Sequence, residues 1–388
     1  MNHWLTEMTG LSEMSLQLFE FTKNRVMPNG ESTAEILYNC SGWVSHHNND
    51  LWGDTAPHDE FTGNTSFLHT TAIPILTGLV EFYNDFHIER DGYLVTAPSA
   101  STENTYITSD GVYNAIVIGP TSDQYYLREI LTNFLNVSSM TDSKHIVPQA
   151  TKMLSKIRTP FLPNEYGGIQ KWWDDWQEDY NSQPMMDPIL GLYPFAAIST
   201  WQPNGNVTQM AETSLNDYLQ ETQGNSWSIV WPIAYFARLW QAENAHVYIQ
   251  KTLQTLVSYS GNPWTMNVGY YQIDGNLGYV AGTTEMLLQS QGPAEEWPIM
   301  LLPALPSEWS TGWVQGLVAR GGFEVNIEWA NGSFQQANVY SRLGRDMNIT
   351  VFNLPTGKNT FTIKELGLTS HNGYIATTST QGKARTTR

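Results

Sequence analysis

The helical part of the fold is decided by stretches such as residues 72–86, which read AIPILTGLVEFYNDF. Apolar side chains recur there at the spacing that places them on one face of a helix. These positions are Ile73, Leu76, Leu79, Val80 and Phe82. The spacing predicts an amphipathic helix whose apolar face is turned towards a core.

The same spacing recurs before residue 300, where Gly-, Pro-, Asn- and Trp-rich loops separate the apolar stretches. Further helices are predicted over residues 125–137, 228–240 and 245–259. Many helices joined by long loops are typical of helical hairpins packed around one core. We therefore expect a mainly α fold in which residues 1–304 form an (α/α)6 toroid, incomplete in this chain, as the catalytic domain.

After residue 300 the pattern changes to alternation. Residues 323–329 read FEVNIEW, in which apolar and polar side chains alternate strictly, as in a half-buried strand. Asn331-Gly332 is a hairpin-turn signal, and residues 334–340 and 347–352 continue the strand pattern. The pattern predicts antiparallel strands.

The charge changes at the same place, from −21 for residues 1–300 to +3 for residues 301–388. We therefore expect a small C-terminal β-sandwich over residues 305–378, followed by a disordered tail over residues 379–388.

Composition and charge exclude several classes of function. The chain has 388 residues, of which 41% are hydrophobic and 14% charged, as in folded proteins. A net charge of −18 argues against nucleic acids and anionic membranes as partners and fits a neutral oligosaccharide better. No apolar run approaches the roughly 18 residues of a membrane helix. Cys40 is the one cysteine, so an intrachain disulfide and a Cys-rich zinc site are excluded. We expect no cofactor.

Glycosylation sequons favour a secreted full-length protein. Asn-X-Ser/Thr occurs at Asn39, Asn64, Asn136, Asn206, Asn331 and Asn348. No signal peptide is visible in this chain, because its N-terminus has neither a basic nor an apolar region. The chain opens abruptly at Met1-Asn2-His3-Trp4, a sequence expected within a domain rather than at its start.

Residues 42–54 read GWVSHHNNDLWGD, which is too polar for a core and too aromatic for an ordinary loop. Aromatic faces suit the C–H-rich face of a sugar, although large cores also use tryptophan. Adjacent histidines point apart on any regular element, so no metal site is expected. The predicted sugar-binding residues of this segment are Trp43, His46, His47, Asn48, Trp52 and Asp54.

Residues 96–106 read TAPSASTENTY and place Glu103 in a loop of Ser, Thr and Pro with no cation nearby in sequence. A carboxyl group in such a loop can have a raised pKa and donate a proton. The alternative is that the Ser/Thr/Glu cluster caps the start of a helix.

Residues 271–278 read YQIDGNLG, in which Asp274 lies between two amides and two glycines. Gln272, Asp274 and Asn276 can hold the hydroxyls of a sugar or a water molecule. Apolar residues then follow at helical spacing, so Asp274 is expected where a loop opens a helix. The alternative is an ordinary turn with Asp274 as a helix-start residue.

Glu103 and Asp274 together provide the two carboxyl groups that glycosidic cleavage needs, an acid on the leaving oxygen and a base or nucleophile. Other carboxylates compete for these roles, namely Asp50, Asp54, Asp123, Asp174 and Asp175.

These motifs resemble glycoside hydrolase family 95, the 1,2-α-L-fucosidases. The resemblance runs in order from residue 1 to about residue 340. The matching segments are residues 1–4, 42–57, 97–106, 119–123, 128–129, 191–194, 237–240, 272–278, 285–290, 301–306 and 316–329. The resemblance implies an N-terminal β-region, an (α/α)6 barrel and a C-terminal β-sandwich. It also implies cleavage of terminal α-L-fucose, or a sugar such as α-L-galactose, from oligosaccharides or plant cell-wall glycans.

The resemblance implies inversion of the anomeric carbon, with Glu103 as general acid and Asp274 as the carboxylate that partners water-activating asparagines. In inverting enzymes two such groups stand about 6.5–9.5 Å apart. The family's Asn-X-Asn pair is expected just upstream of Met1, so the chain is expected to be truncated.

Two further departures bear on the substrate. Lys171-Trp172 stands where the family usually has Glu-Trp, and residues 183–188 replace a His/Arg-rich loop. A catalytically weak or inactive sugar-binding homologue is therefore the alternative function. A polysaccharide lyase is a third possibility, disfavoured because the acidic residues 1–300 would repel an anionic sugar.

Overall fold

The computed structural model describes residues 1–45, 65–101, 104–138, 144–179, 186–201, 203–221, 226–255, 266–267, 270–292, 298–345, 347–354, 362–365, 376–378 and 384–386. These residues divide into two compact units. Unit 1 contains residues 1–15 and the described residues from 226 onward, and unit 2 contains the described residues from 16 to 221.

Helices dominate the chain before residue 288. The α-helices are α1 (Glu13–Phe21), α2 (Met27–Thr33), α3 (Thr65–Phe67), α4 (Ile73–Phe86), α5 (Thr121–Val137), α6 (Val147–Lys156), α7 (Val207–Glu221), α8 (Ser226–Arg238), α9 (Ala242–Thr255) and α10 (Ile273–Leu287). Segments of π-helix lie at Thr22–Val26, Ala34–Tyr38 and Leu68–Ala72, and 3₁₀ turns at Lys144–Ile146 and Asp187–Ile189. No described helix is long and apolar enough to cross a bilayer.

Short strands interrupt the helical region and longer strands follow it. The short strands are β1 (Ile88–Arg90), β2 (Tyr93–Val95), β3 (Ser99–Ala100), β4 (Tyr106–Ile107), β5 (Tyr113–Asn114), β6 (Ile116–Val117), β7 (Gln177–Glu178), β8 (Met266–Asn267) and β9 (Tyr270–Tyr271). The C-terminal strands are β10 (Leu288–Gln289), β11 (Pro298–Leu301), β12 (Gly312–Ala319), β13 (Phe323–Ala330), β14 (Ser333–Ser341), β15 (Asn348–Val351), β16 (Thr362–Glu365), β17 (Ala376–Thr378) and β18 (Ala384–Thr386).

The predicted helices and strands are confirmed. Residues 72–86, 125–137 and 228–240 fall on α4, α5 and α8 to within a few residues at their ends. Of the helix predicted over 245–259, residues 245–255 fall on α9, and residues 256–259 lie outside the described residues. The predicted C-terminal strands correspond to β13, β14 and β15.

In unit 2, helices α4, α5 and α6 share one apolar core. The predicted face of α4 contributes Leu76 and Val80, which pack with Leu127 and Leu131 of α5 and with Met153 of α6. These side chains are almost fully buried, so the amphipathic spacing of α4 explains why the helix lies against its two neighbours.

In unit 1, the C-terminal strands form two sheets. One sheet has the order β10-β11-β15-β18-β17 and the other the order β12-β13-β14-β16. Alternate residues of β13, including Val325 and Ile327, meet Ile299 and Ile349 of the other sheet in one apolar cluster. The alternation of residues 323–329 thus corresponds to one buried and one more exposed face of β13.

Two features of this region differ from the sequence expectation. Strands β10 and β11 precede residue 305, and β11 pairs in parallel with β15. Ala384–Thr386, within the segment expected to be a disordered tail, form β18 and pair with β15. Backbone pairing explains both, since β15 offers hydrogen-bonding edges to β11 and to β18.

Candidate active site

Four of the predicted site residues lie within the described chain: Trp43, Gln272, Asp274 and Asn276. The others lie outside the described residues, namely His46, His47, Asn48, Trp52, Asp54 and Glu103. The surroundings of the predicted general acid are nevertheless described on both sides, up to Ser101 and from Asn104.

On the N-terminal side of the predicted acid, the loop is held by hydroxyl groups that donate to carboxylates of unit 2. The hydroxyls of Thr96 and Ser99 both donate to Oδ2 of Asp123, at 2.5 and 2.7 Å. The hydroxyl of Ser101 donates to Oδ2 of Asp187 at 2.5 Å, and both side chains are about 98–99% buried. Hydrogen bonds to a charged acceptor are stronger than neutral ones, so these contacts fix the loop firmly.

On the C-terminal side, the loop is held by β-pairing and by aromatic stacking. Thr105 exchanges hydrogen bonds with Asp179, the hydroxyl donating to Oδ2 at 3.0 Å and the Thr105 carbonyl accepting from the Asp179 amide at 3.0 Å. Tyr106 in β4 stacks on Trp176 with ring centroids 4.1 Å apart, and its hydroxyl donates to the carbonyl of Ile116. The loop is therefore anchored on each side of position 103.

Asp123, which accepts two of these hydrogen bonds, has a raised pKa. Burial raises its pKa to about 6, the hydroxyls of Thr96 and Ser99 oppose that rise by donating to the charged form, and the negative charge of Asp187 adds to it. Asp123 can therefore take up a proton in mildly acidic solution, where an exposed aspartate stays ionised.

In unit 1, Asp274 lies in the first turn of α10, as the sequence predicts. Gln272, in an extended conformation, precedes the helix, and the Asp274 carboxylate benefits from the positive end of the helix dipole. The Asp274 side chain is half-buried, and no hydrogen bond or ion pair joins its carboxylate to another described residue. Asn276 follows in the same turn.

The start of α10 is tied to the start of α8. Oε1 of Gln272 accepts hydrogen bonds from the hydroxyl and the amide of Ser226, at 2.8 and 3.3 Å. These hydrogen bonds to the Gln272 side-chain oxygen position the turn that carries Asp274. Sugar binding by Gln272 stays a prediction.

Further along, α8 and α10 approach closely. A Cβ atom on Gly282 would lie 2.9 Å from Cβ of Ile233, so only glycine allows this contact. Arg238 and Glu285 form a buried ion pair between the helices, with Nε to Oε2 at 2.5 Å and Nη2 to Oε1 at 2.9 Å. These contacts hold α10 against α8 and so fix where Asp274 lies.

The competing carboxylates that are described have structural partners. Asp123 holds the loop described above, Asp174 pairs with Arg90 at the surface, and Asp175 accepts a hydrogen bond from the amide of Glu165. Asp274 differs from all three in lacking such a described partner.

Trp43 lies in the core of unit 2. Its side chain is 1% exposed, it packs with Val26 and Ile75, and its indole N–H donates to the carbonyl of Ile75 at 3.1 Å. No ring face is left for a sugar, so the expectation of a sugar contact at Trp43 is corrected to a packing role.

Sequence analysis singled out Lys171-Trp172 as a departure from the family pattern but did not predict the partner of Lys171. Lys171 is 8% exposed and pairs with Glu178, and its ammonium lies 5.6 Å from the centre of the Trp172 ring. These residues line a cavity of unit 2 together with Trp176. The signal was present in the sequence, since three tryptophans and two aspartates fall within residues 172–176.

Comparison with sequence families gives two matches that together cover nearly the whole chain. The family described as glycosyl hydrolase family 95 catalytic domain matches residues 1–60 and 58–287. The family described as glycoside hydrolase family 95, C-terminal domain, matches residues 289–385.

Curated relatives carry fucosidase names. Alpha-L-fucosidase 2 of Arabidopsis thaliana is 27% identical over 377 residues, which cover 88% of this chain and 44% of the relative. Probable alpha-fucosidase A of Aspergillus niger (strain ATCC MYA-4892 / CBS 513.88 / FGSC A1513) is 26% identical over 370 residues, covering 85% of this chain and 46% of the relative. The chain thus spans less than half the length of these relatives.

Among solved structures, a putative kojibiose phosphorylase from human microbiome superposes with a TM-score of 0.60 at 8% identity. The superposition covers 90% of this chain and 58% of that structure. At this identity the likeness concerns the fold alone.

Proposed function

The chain belongs to glycosyl hydrolase family 95, and from that premise we propose that it acts as an inverting glycosidase. In this proposal it removes terminal α-L-fucose, or a similar sugar such as α-L-galactose, from oligosaccharides or plant cell-wall glycans. The fucosidase names of the curated relatives support the choice of sugar.

Glu103 donates a proton to the leaving oxygen and Asp274 is the carboxylate that directs water to the anomeric carbon. The observation that carries the proposal is the state of Asp274 at the start of α10, half-buried and without a described partner. The described competitors Asp123, Asp174 and Asp175, by contrast, have structural partners. We also propose that the helices belong to an (α/α)6 ring and that the full-length protein is secreted.

The test is the rate of fucose release from fucosyllactose by Glu103→Gln and Asp274→Asn variants. Each substitution keeps the side-chain shape and removes the proton-transfer function, so turnover is expected to fall by about 100- to 10,000-fold. Asp174→Asn is the matched control, because Asp174 is an exposed member of a surface ion pair. Proton NMR of the first product is expected to show the β-anomer, as inversion requires.

Unchanged rates in both variants would refute the assigned roles. An α-anomer as first product would refute inversion.

A sugar-binding homologue without turnover is the second candidate. It is favoured by Lys171, which stands in place of the family's glutamate and is engaged by Glu178. Calorimetric binding of fucosyllactose without release of fucose would support this candidate, and measurable release would exclude it.

A further inference from the structure

The acid loop, residues 101–105, connects two strands of an antiparallel ribbon in unit 2. Strand β3, before the loop, pairs with β6, and strand β4, after the loop, pairs with β5. Five residues therefore connect β3 to β4, whereas Ala115 alone connects β5 to β6. The ends of the loop are held by backbone pairing, so side-chain contacts within residues 101–105 decide its conformation between those ends.

Within the acid loop, Ser101 is bound to a buried carboxylate from a distant part of the chain. Its hydroxyl donates to Oδ2 of Asp187, 86 positions away, at 2.5 Å. Ser101 is 1% and Asp187 is 2% exposed. Asp187 opens the 3₁₀ turn Asp187–Ile189, in which the carbonyl of Pro188 accepts from the hydroxyl of Tyr125 at 2.9 Å. The acceptor of the Ser101 hydroxyl is therefore itself held in place.

Asp123 brings a second carboxyl group to the same ribbon. It accepts the hydroxyls of Thr96 and Ser99, which precede the acid loop. The negative charge of Asp187 adds to the rise in the pKa of Asp123, so the two carboxyl groups lie within electrostatic reach of each other. The acid loop is therefore attached to two buried carboxyl groups that repel each other when both are ionised.

The titratable groups that face Asp123 do not neutralise it. Burial and the charge of Asp123 raise the pKa of Tyr83 on α4, so this phenol stays uncharged. No described lysine, arginine or histidine forms an ion pair with Asp123. The residues on either side of Asp187 line a cavity whose lysine, Lys171, pairs with Glu178. Carboxyl groups with such neighbours are enriched at functional sites, where they shift the pKa of a catalytic group.

A negative charge beside the acid loop favours a general acid on that loop. Ser101 precedes Glu103 by two positions, and two residues of chain reach at most about 7 Å. A neighbouring negative charge raises the pKa of a carboxylic acid and keeps it protonated to higher pH. A general acid must be protonated before it can donate to the leaving oxygen.

We propose that Asp187 is a positioning residue for the predicted general acid: through Ser101 it holds the acid loop, and its negative charge keeps Glu103 protonated. The role of Glu103 in this proposal rests on the proposed function. The two effects are separable, because the hydrogen bond fixes the loop at every pH whereas the charge sets the pH range in which the acid is protonated.

The experiment compares the pH profiles of fucosyllactose hydrolysis by the unmodified chain and by four variants. Asp187→Asn removes the charge and keeps an oxygen that accepts from Ser101. Ser101→Ala removes the hydroxyl and keeps the charge, and Asp187→Ala removes both the acceptor and the charge. Asp174→Asn is the matched control, because it neutralises an exposed aspartate of the same unit.

In Asp187→Asn, the pKa of the alkaline limb of kcat/KM is expected to fall by about one unit, with kcat on the acidic side nearly unaltered. In Ser101→Ala, kcat is expected to fall about tenfold at every pH with KM nearly constant, because a misplaced acid weakens the transition state more than substrate binding. Asp187→Ala is expected to show both effects, so asparagine restores most of the kcat that alanine loses. Asp174→Asn is expected to leave the profile unaltered.

An alkaline limb that stays in place in Asp187→Asn would overturn the proposal, and so would an unaltered kcat in Ser101→Ala. Ser101→Ala removes a single oxygen atom. This variant is therefore expected to fold even if the Asp187 variants do not, and its kcat then decides.

The proposed function and the role of Asp187 can fail separately. Fucose release with an unmoved alkaline limb in Asp187→Asn refutes the role of Asp187 alone. A protein that releases no fucose refutes the proposed function, and the titration of Glu103 then tests the role of Asp187. Carbon-13 NMR of carboxyl-labelled glutamate follows this titration without turnover, with the Glu103 signal assigned by its absence in Glu103→Gln. A pKa of Glu103 about one unit lower in Asp187→Asn supports the proposal, and an equal pKa overturns it.

Discussion

Substituting Glu285 by Gln is expected to destabilise unit 1 strongly, because Glu285 is the partner of a buried arginine. The side chains of Arg238 and Glu285 are 4% and 3% exposed and meet through two short hydrogen bonds. Glutamine keeps the shape and one acceptor oxygen but leaves the guanidinium charge uncompensated away from water. Breaking a buried pair from one side costs about 3–5 kcal/mol.

The assay is thermal unfolding followed by circular dichroism. For a unit of this size, 1 kcal/mol corresponds to about 2–4 °C in Tm, so a decrease on the order of 10 °C is expected. The matched control is Glu324→Gln, which breaks the pair between Arg342 and Glu324 in the same unit, whose side chains are 44% and 37% exposed. Exposed pairs contribute about 0–1 kcal/mol, so this control should shift Tm by at most a few degrees.

Similar small shifts in Glu285→Gln and Glu324→Gln would refute the reasoning, because burial would then make no difference to the value of the pair. If Glu285→Gln loses this much stability, it is also expected to lower fucose release at temperatures near the new Tm, because the packing of α10 against α8 positions Asp274.

Two further predictions concern single residues. Asp123→Asn is expected to remove a pH dependence of stability, because the pKa of Asp123 in the folded state, about 6, lies above its unfolded value. Between these two pKa values the native state binds a proton that the unfolded state releases. The stability that Asp123 contributes is therefore present at pH 4 and declines as pH rises through 6, by roughly 1–2 kcal/mol after allowance for its partial exposure. Urea unfolding of both proteins at several pH values checks this, and parallel profiles would contradict it. Gly282→Ala should destabilise by about 1–3 kcal/mol, because the new Cβ overlaps Ile233; a stabilisation of about 1 kcal/mol, as helix propensity alone predicts, would contradict the close contact.

The sequence predicts the elements that have one buried and one exposed face. Helix α4 and strand β13 are such elements, and in both the apolar spacing agrees with the observed burial. Strand β11 was missed because all four residues of Pro298–Leu301 are buried, which leaves no alternation to read. Strands of two residues, such as β4 and β7, were missed because they are too short to show a period.

The role of Trp43 could not be read from composition. Its surroundings in sequence are polar and rich in glycine, which suggested a sugar-binding loop. In the fold, a Cβ atom on Gly78 would lie 2.4 Å from Cδ1 of Trp43, and Gly30 approaches the same ring. The glycines therefore make room for a buried indole. That use depends on contacts between residues 35 positions apart (Gly78) and 13 positions apart (Gly30), which local sequence patterns do not contain.

Lys171 shows how a departure from a family pattern can be misjudged when residues are compared one at a time. A lysine in place of glutamate suggests a lost sugar contact, and buried sites that bind hydroxyl groups are sensitive to such losses. In the structure, Glu178 lies against Lys171 and both line the same cavity, so a carboxylate is present there on a neighbouring strand. The Lys171–Glu178 pair therefore keeps a carboxylate in this cavity although the family's glutamate is absent.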